Sequence, residues 1–259
     1  MQGSLSALCR WRCSDPLPTR FADQRQWADE RASNEADSGS MPGRIHLGAV
    51  VDPTPYPPIA GAVRVIDMTL RGGAHFVREA TLVPFIQAAN FTPAQRTRVD
   101  LVVLHSMENS EKPSSARGVA EWFAGPNAPR ASAHYCVDAG EVIACVREED
   151  VAWAAPGANR NGIQIEQAGH ADQSASQWLD PYSTAMLQRM IPLMVEICRR
   201  WTIPAVIVGP EALRQGLRGI TTHNFVTLAF RKSTHTDPGI HYPLEWVVSR
   251  VAALLRMPA

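Results

Sequence analysis

Val99-Asp100-Leu101-Val102-Val103-Leu104-His105 is a run of aliphatic residues that ends on an imidazole. Apart from Asp100, every residue before the histidine is apolar, and a short continuous run of this kind reads as a buried β-strand. A polar side chain at the end of such a strand needs a reason. Two further short contexts supply one. His223 closes Gly219-Ile-Thr-Thr-His223, and Asp237 opens the turn Asp237-Pro238-Gly239. There the proline biases Asp237 toward extended backbone, and Gly239 permits a left-handed conformation. Two imidazoles and a carboxylate suit Zn²⁺, and three protein ligands with an open fourth position form the catalytic rather than the structural pattern. The chain has eight histidines, and one taken alone is more often a surface or hydrogen-bonded core residue. His170 and His241, which lack supporting context, stay with that reading.

Outward from these residues the chain follows an α/β rhythm. Ser114 or Ser115 is placed to cap a helix through Val119-Ala-Glu-Trp-Phe123, stopped by Gly125-Pro126. Ser132 to Asp138 and Glu141 to Val146 read as the arms of a hairpin turning at Ala139-Gly140. Asp180-Pro181 is a helix start, and Met186, Met190, Leu193, Met194 and Ile197 form the stripe of a long amphipathic helix in which Pro192 predicts a kink. A last helix from Pro243 to about Arg256 places Trp246, Val247, Ala253 and Leu254 on a core face. The expected architecture is a central mixed β-sheet flanked by helices.

Residues 1–42 are rich in Ser, Asp, Glu, Arg and Gln and poor in aliphatics, a composition that does not bury a core. They are expected to be disordered, and Met41 is a second candidate translation start. Residues 43–95 read as an extension packing on a catalytic domain at 96–257. Lys plus Arg and Asp plus Glu balance at 25 each, so no net field draws the chain to nucleic acid or an anionic membrane. The five cysteines, Cys9, Cys13, Cys136, Cys145 and Cys198, are few and scattered and form no disulfide framework. With a two-residue turn the partner of Cys136 is Ile143, which offsets it from Cys145. No run reaches the ~20 apolar residues of a membrane span, and no secretory signal is evident. Synthesis in the cytoplasm and a monomeric state are the expectations.

The motifs Leu101-Val-Val-Leu-His-Ser106, Ala131-Ser-Ala-His-Tyr135, Val151-Ala-Trp-Ala154, Asn161-Gly-Ile-Gln-Ile-Glu166, Gly219-Ile-Thr-Thr-His223 and His235-Thr-Asp-Pro-Gly239 with Tyr242-Pro243 occur in this order. Together they resemble type 2 N-acetylmuramoyl-L-alanine amidases, the zinc amidase fold shared with peptidoglycan recognition proteins. Within that family, His105-Ser-Met-Glu108 and Trp153-Ala-Ala-Pro-Gly-Ala-Asn159 are most similar to the amidase modules of endolysins from phages of mycobacteria and related actinobacteria. The resemblance implies zinc held by His105, His223 and Asp237, and hydrolysis of the amide between N-acetylmuramic acid and L-alanine of peptidoglycan. It implies action on the cell wall after holin-type release.

The resemblance also gives His235, two residues before the aspartate and on the same side of an extended segment, the task of donating a hydrogen bond to the oxyanion. A fourth ligand is the alternative role for His235. Many relatives carry a glutamate in an Ile-Gly-Ile-Glu pattern as proton acceptor, and the aligned position here is read as Gln164, which cannot act as a base. Alternation puts Gln164 and Glu166 on one strand face, so Glu166 becomes the candidate base. Substrate contacts are expected at Gln164 and Trp153, and the resemblance puts His134 near the cleft, where it contacts substrate, supports the site from behind, or simply packs. Ala154 stands where relatives often have the histidine of a Trp-His-Ala-Gly motif. Two other functions fit the same resemblance: non-catalytic peptidoglycan recognition, and recycling of soluble muropeptides in the cytoplasm.

Overall fold

A computed structural model describes residues 83–257; the expectations for 1–42 and for most of 43–95 lie outside the described residues. Seven strands are present among them: β1 (Phe91–Thr92), β2 (Leu101–Ser106), β3 (Tyr135–Val137), β4 (Val142–Ala144), β5 (Val151–Ala152), β6 (Gly162–Gln167) and β7 (Gly219–Thr222). The helices are α1 (Ser115–Ala124), α2 (Pro181–Trp201), α3 (Pro210–Arg214), α4 (His223–Phe230) and α5 (Leu244–Leu255). Five strands form a mixed sheet in the order β4-β3-β6-β2-β7, while β1 and β5 pair separately. β2 runs parallel to both β6 and β7, β3 runs parallel to β6, and β4 returns antiparallel to β3.

Every residue of β2 and β6 is buried, as a strand covered on both faces requires. On one face Leu101 and Val103 pack with Ala155, Ala158, Val208, Leu213 and Val226, and Phe225 and Phe230 of α4 close the cluster. Alternation turns Val102, Leu104, Ile163 and Ile165 to the other face. There α2 brings its buried stripe of Met186, Met190, Leu193, Met194 and Ile197, backed by α5.

Asp180 caps α2 as expected, its Oδ1 accepting from Ser183 N at 2.8 Å. Pro192 lies inside a helix that continues past it to Trp201. The start of α1 differs from the expectation. Ser114 holds the N-cap position with left-handed backbone (φ 71°) and no side-chain cap bond. Its place is taken by Asp138 of the hairpin, whose Oδ2 accepts from Ala116 N at 2.9 Å. Asp138 Oδ1 also accepts from Gly140 N and Glu141 N, at 2.6 and 2.7 Å, so one carboxylate closes the turn and caps the helix. In the hairpin Cys136 faces Ile143, and Cys136 and Cys145 are free, buried thiols. The face of α5 is corrected too. Trp246, Val247, Val248 and Val251 are buried, whereas Ala253 is exposed and Leu254 half-buried.

Glu148 ties the far end of α2 to the sheet. Its carboxylate accepts from Tyr135 Oη at 2.7 Å, from Arg200 Nε and Nη2 at 2.9 Å each, and from Trp201 Nε1. Burial alone would raise the pKa of Glu148, but Arg200 and the two other donors outweigh it and hold the carboxyl below its usual range. A carboxylate depressed in this way adds stability above its unfolded pKa and loses it as pH falls through the folded value. Glu148→Gln is therefore expected to cost roughly 1–3 kcal/mol at pH 7, discounted because Arg200 is half exposed. The difference from wild type should shrink near pH 3, as thermal unfolding at the two pH values would show.

Candidate metal centre

Parallel pairing of β2 with β7 brings two distant histidines to the C-terminal end of the strands. His105 sits near the end of β2, and His223 is the first residue of α4, directly after β7. Thr222 caps that helix, its side chain accepting from Phe225 N at 3.2 Å, which fixes where His223 leaves the sheet. Asp237 arrives on the loop after α4, anchored by its carbonyl, which accepts from Asn224 N at 2.9 Å. The turn closes through Gly239 N to Thr236 O at 3.0 Å, and the Asp237–Pro238 peptide is cis. Gly239 has φ +95°, and a Cβ there would collide with the backbone of Ala171, so the glycine is required twice over.

The three side chains converge in a buried site. His105 Nδ1 lies 3.1 Å from Asp237 Oδ2, and His223 Nδ1 lies 3.1 Å from Asp237 Oδ1. One ligand atom from each residue falls within 4.8 Å of the others. Burial opposes charge on His105, but Asp237 and Glu166 hold its proton up to about 9. Burial lowers His223 to about 4, with His105 and His235 adding to the effect against Asp237, so that imidazole is neutral at pH 7. Asp237 is held well below the ordinary carboxylate range, since its three histidine neighbours outweigh its burial. His223 Nδ1 and Glu166 Oε2 are buried without a well-formed hydrogen bond. Orphaned donor atoms of this kind around a two-imidazole, one-carboxylate set fit a zinc ion.

Glu166 stands opposite His105 in the β2–β6 register, and its Oε1 is 4.0 Å from His105 Nδ1. Burial pushes its carboxyl up to about 8, with His105 opposing. Read against Ile-Gly-Ile-Glu, the run Ile163-Gln164-Ile165-Glu166 falls in register with Gln164 on the glycine and Glu166 on the glutamate. That register corrects the alignment of Gln164 with the glutamate, because Glu166 is the residue whose carboxylate faces the centre. His235 stacks on His223 with ring centroids 4.5 Å apart, and its Nδ1 is 3.5 Å from Asp237 Oδ1. With 37 % of its side chain exposed, it is the open member of the group.

Two expected substrate contacts lie too deep for that part. Gln164 has no exposed surface, and its amide is used on His105 Nε2 at 2.9 Å and Ala158 O at 3.2 Å. His134 is also fully buried: its Nδ1 accepts from Gln164 N at 2.9 Å, and its Nε2 lies 2.9 Å from Arg96 Nη2 and 3.2 Å from Asp150 O. Burial, helped by Arg96, lowers its pKa to about 3 and keeps it neutral. Trp153 is half-buried and donates its indole N–H to Thr92 Oγ1 at 2.8 Å. Ala154 is buried, and its backbone N donates to Asn159 Oδ1 at 3.1 Å. His170 and His241 stay outside the group; His170 pairs with Glu108 at 3.8 Å. Ser233 escaped the sequence reading, although it lies 3.2 Å from His223 Nε2. So did the link from Tyr242 Oη to Gln167 Oε1 at 2.8 Å, continued by Gln167 Nε2 to His105 O at 3.0 Å. Tyr242-Pro243 in the motif list was the one signal for that link.

The pattern of the N-acetylmuramoyl-L-alanine amidase family matches residues 95–240, more than half of the chain. No curated protein sequence matches. Among solved structures, the hydrolase AmiA of Staphylococcus aureus, determined with its ligand, shares 14 % identity over 68 % of this chain and 86 % of its own, with a TM-score of 0.52. The N-acetylmuramoyl-L-alanine amidase LysC of Clostridium intestinale shares 13 % identity over 66 % of this chain and 98 % of its own, with a TM-score of 0.44. The first of these likenesses shows the fold, and the family pattern shows the lineage. With mixed sheet, flanking helices and matched sequence in agreement, the chain belongs to the N-acetylmuramoyl-L-alanine amidases, hydrolases of a linear amide bond.

Proposed function

We propose that the chain is a zinc-dependent amidase that cleaves the bond between the lactyl group of N-acetylmuramic acid and L-alanine in peptidoglycan. The further placement, on the resemblance of its motifs, is an endolysin of a phage or prophage of actinobacteria. The observation that carries the reading is the buried set of His105, His223 and Asp237 with the Glu166 carboxylate beside it. Those three residues would hold the ion, which when bound supplies a Lewis acid for the scissile carbonyl and acidifies a water. Glu166 takes the proton of the attacking water on its carboxylate and returns it to the nitrogen of the leaving amine. His235, whose Nδ1 lies 3.5 Å from Asp237 Oδ1, donates a hydrogen bond to the oxyanion. Gln164 and His134 support the set from beneath, and Trp153 remains a candidate substrate contact.

The test is zinc-loaded protein on isolated peptidoglycan, with mass analysis of the products. Stem peptides with a free L-alanine amine, and glycan with an intact lactyl group, are the expected result. Binding to peptidoglycan without release of stems would move the protein to recognition. Cleavage confined to soluble fragments would move it to muropeptide recycling.

The catalytic domain is proposed to span 96–257 and to act without residues 1–42. A chain beginning at Met41 should keep wild-type activity and melting temperature, and loss of either would assign those residues a part. No helix among the described residues is long and apolar enough to cross a membrane.

A further inference from the structure

His105 offers one ring nitrogen to the centre, and the other is held from behind by an amide whose orientation is forced. Gln164 Nε2 donates to Ala158 O at 3.2 Å, and Gln164 Oε1 lies 2.9 Å from His105 Nε2. A backbone carbonyl only accepts, so the amide must turn its NH₂ toward Ala158. The amide oxygen is thereby turned to the imidazole, and an amide oxygen also only accepts. His105 must then carry a proton on Nε2. Flipping the amide would set two acceptors against each other at Ala158, inside a site with no exposed surface on Gln164 to relieve them.

Gly162 makes the arrangement possible. A Cβ at that position would meet Ala158 O at 2.7 Å, Val103 Cγ2 at 2.9 Å and Gln164 Nε2 at 3.0 Å, closing the space in which the amide lies. His223 is held in a parallel way. Its Nε2 lies 3.2 Å from Ser233 Oγ, which in turn touches Thr227 Oγ1, and its Nδ1 faces Asp237. Both imidazoles thus have Nε2 engaged with a neighbouring oxygen and Nδ1 turned inward.

We propose that Gln164 is a positioning residue that fixes the Nε2–H form of His105, reserving Nδ1 for the metal. The proposal rests on the zinc reading above. It replaces a substrate-binding part for Gln164 with control of which nitrogen coordinates.

Two measurements test it. Long-range ¹H–¹⁵N spectra of the zinc-loaded wild type should show His105 with a protonated Nε2 and a metal-shifted Nδ1. Gln164→Leu, which fills the space without an acceptor, should bind zinc roughly 10- to 100-fold more weakly by chelator competition, as expected when the partner of a ligating histidine is lost. The melting temperature of the metal-free variant shows whether it still folds. If the variant does not fold, the wild-type spectrum decides alone. A protonated Nδ1 on His105 in the wild type, or wild-type zinc affinity in a folded Gln164→Leu, overturns the proposal. A wild type that takes up no zinc would instead sink the reading beneath it.

Discussion

Asp237→Asn is expected to leave the protein with far less than one zinc per chain and with no measurable amidase activity. The carboxylate is nearly buried and serves both inward imidazoles at once, Oδ2 toward His105 and Oδ1 toward His223, each at 3.1 Å. Asparagine keeps the volume and the turn but removes the negative charge, and it turns an NH₂ toward one of two nitrogens that must present lone pairs. Neither histidine pair nor water replaces that charge around a divalent ion. Stability gained from zinc should disappear in parallel. A ligand present at about 1,000 times its dissociation constant adds about 4 kcal/mol to a folded protein, so the wild type should melt higher with zinc and the variant should not. Metal analysis with thermal unfolding in zinc and in chelator checks both. An Asp237→Asn protein that retained one zinc and still released stem peptides would remove Asp237 from the centre.

Glu166→Gln should separate metal binding from turnover. The carboxylate is buried, its Oε2 has no hydrogen-bond partner, and its Oε1 lies 4.0 Å from a ligand atom of His105. Glutamine fills the same space and accepts hydrogen bonds but cannot take a proton. The expected loss is roughly 10²- to 10⁴-fold in rate, the usual contribution of a positioned base, with zinc content unchanged. Steady-state rates on peptidoglycan beside metal analysis would show it, and near-normal turnover with zinc bound would exclude Glu166 as the base. Adding Gln164→Glu to that variant should not restore activity. Position 164 lies behind His105, on Nε2, and a carboxylate there would face Ala158 O with no donor to offer.

The parts of the fold that local chemistry dictates were legible in the sequence. The aliphatic run before His105 is a strand, Asp180-Pro181 starts a helix, and the hairpin pairs Cys136 with Ile143. The convergence of His105, His223 and Asp237 was legible because a polar residue ending a buried strand, and an aspartate on a proline–glycine turn, both need a partner. Long-range register hid the rest. Helix α1 takes its cap from Asp138, a residue of the hairpin that packs against it, so neither serine before the helix reveals it. His134 and Gln164 look like cleft residues in sequence and are buried because β3 and β6 pair side by side, backbone N–H to imidazole. Ser233 sits in a loop of ordinary composition, and only the fold of that loop onto α4 brings it to His223.

The centre joins the end of β2, the start of α4 and the loop beyond it, which the sequence separates widely and the β2–β7 pairing unites. Such an arrangement works as a long-range clasp. Its donor atoms meet only after the most distant strands of the parallel core have found each other, the slow and entropically costly part of assembly. A zinc ion held there would be a late arrival in folding and a reporter of its completion. When the sheet opens, the clasp opens with it, so release of zinc in denaturant should track global unfolding and not precede it.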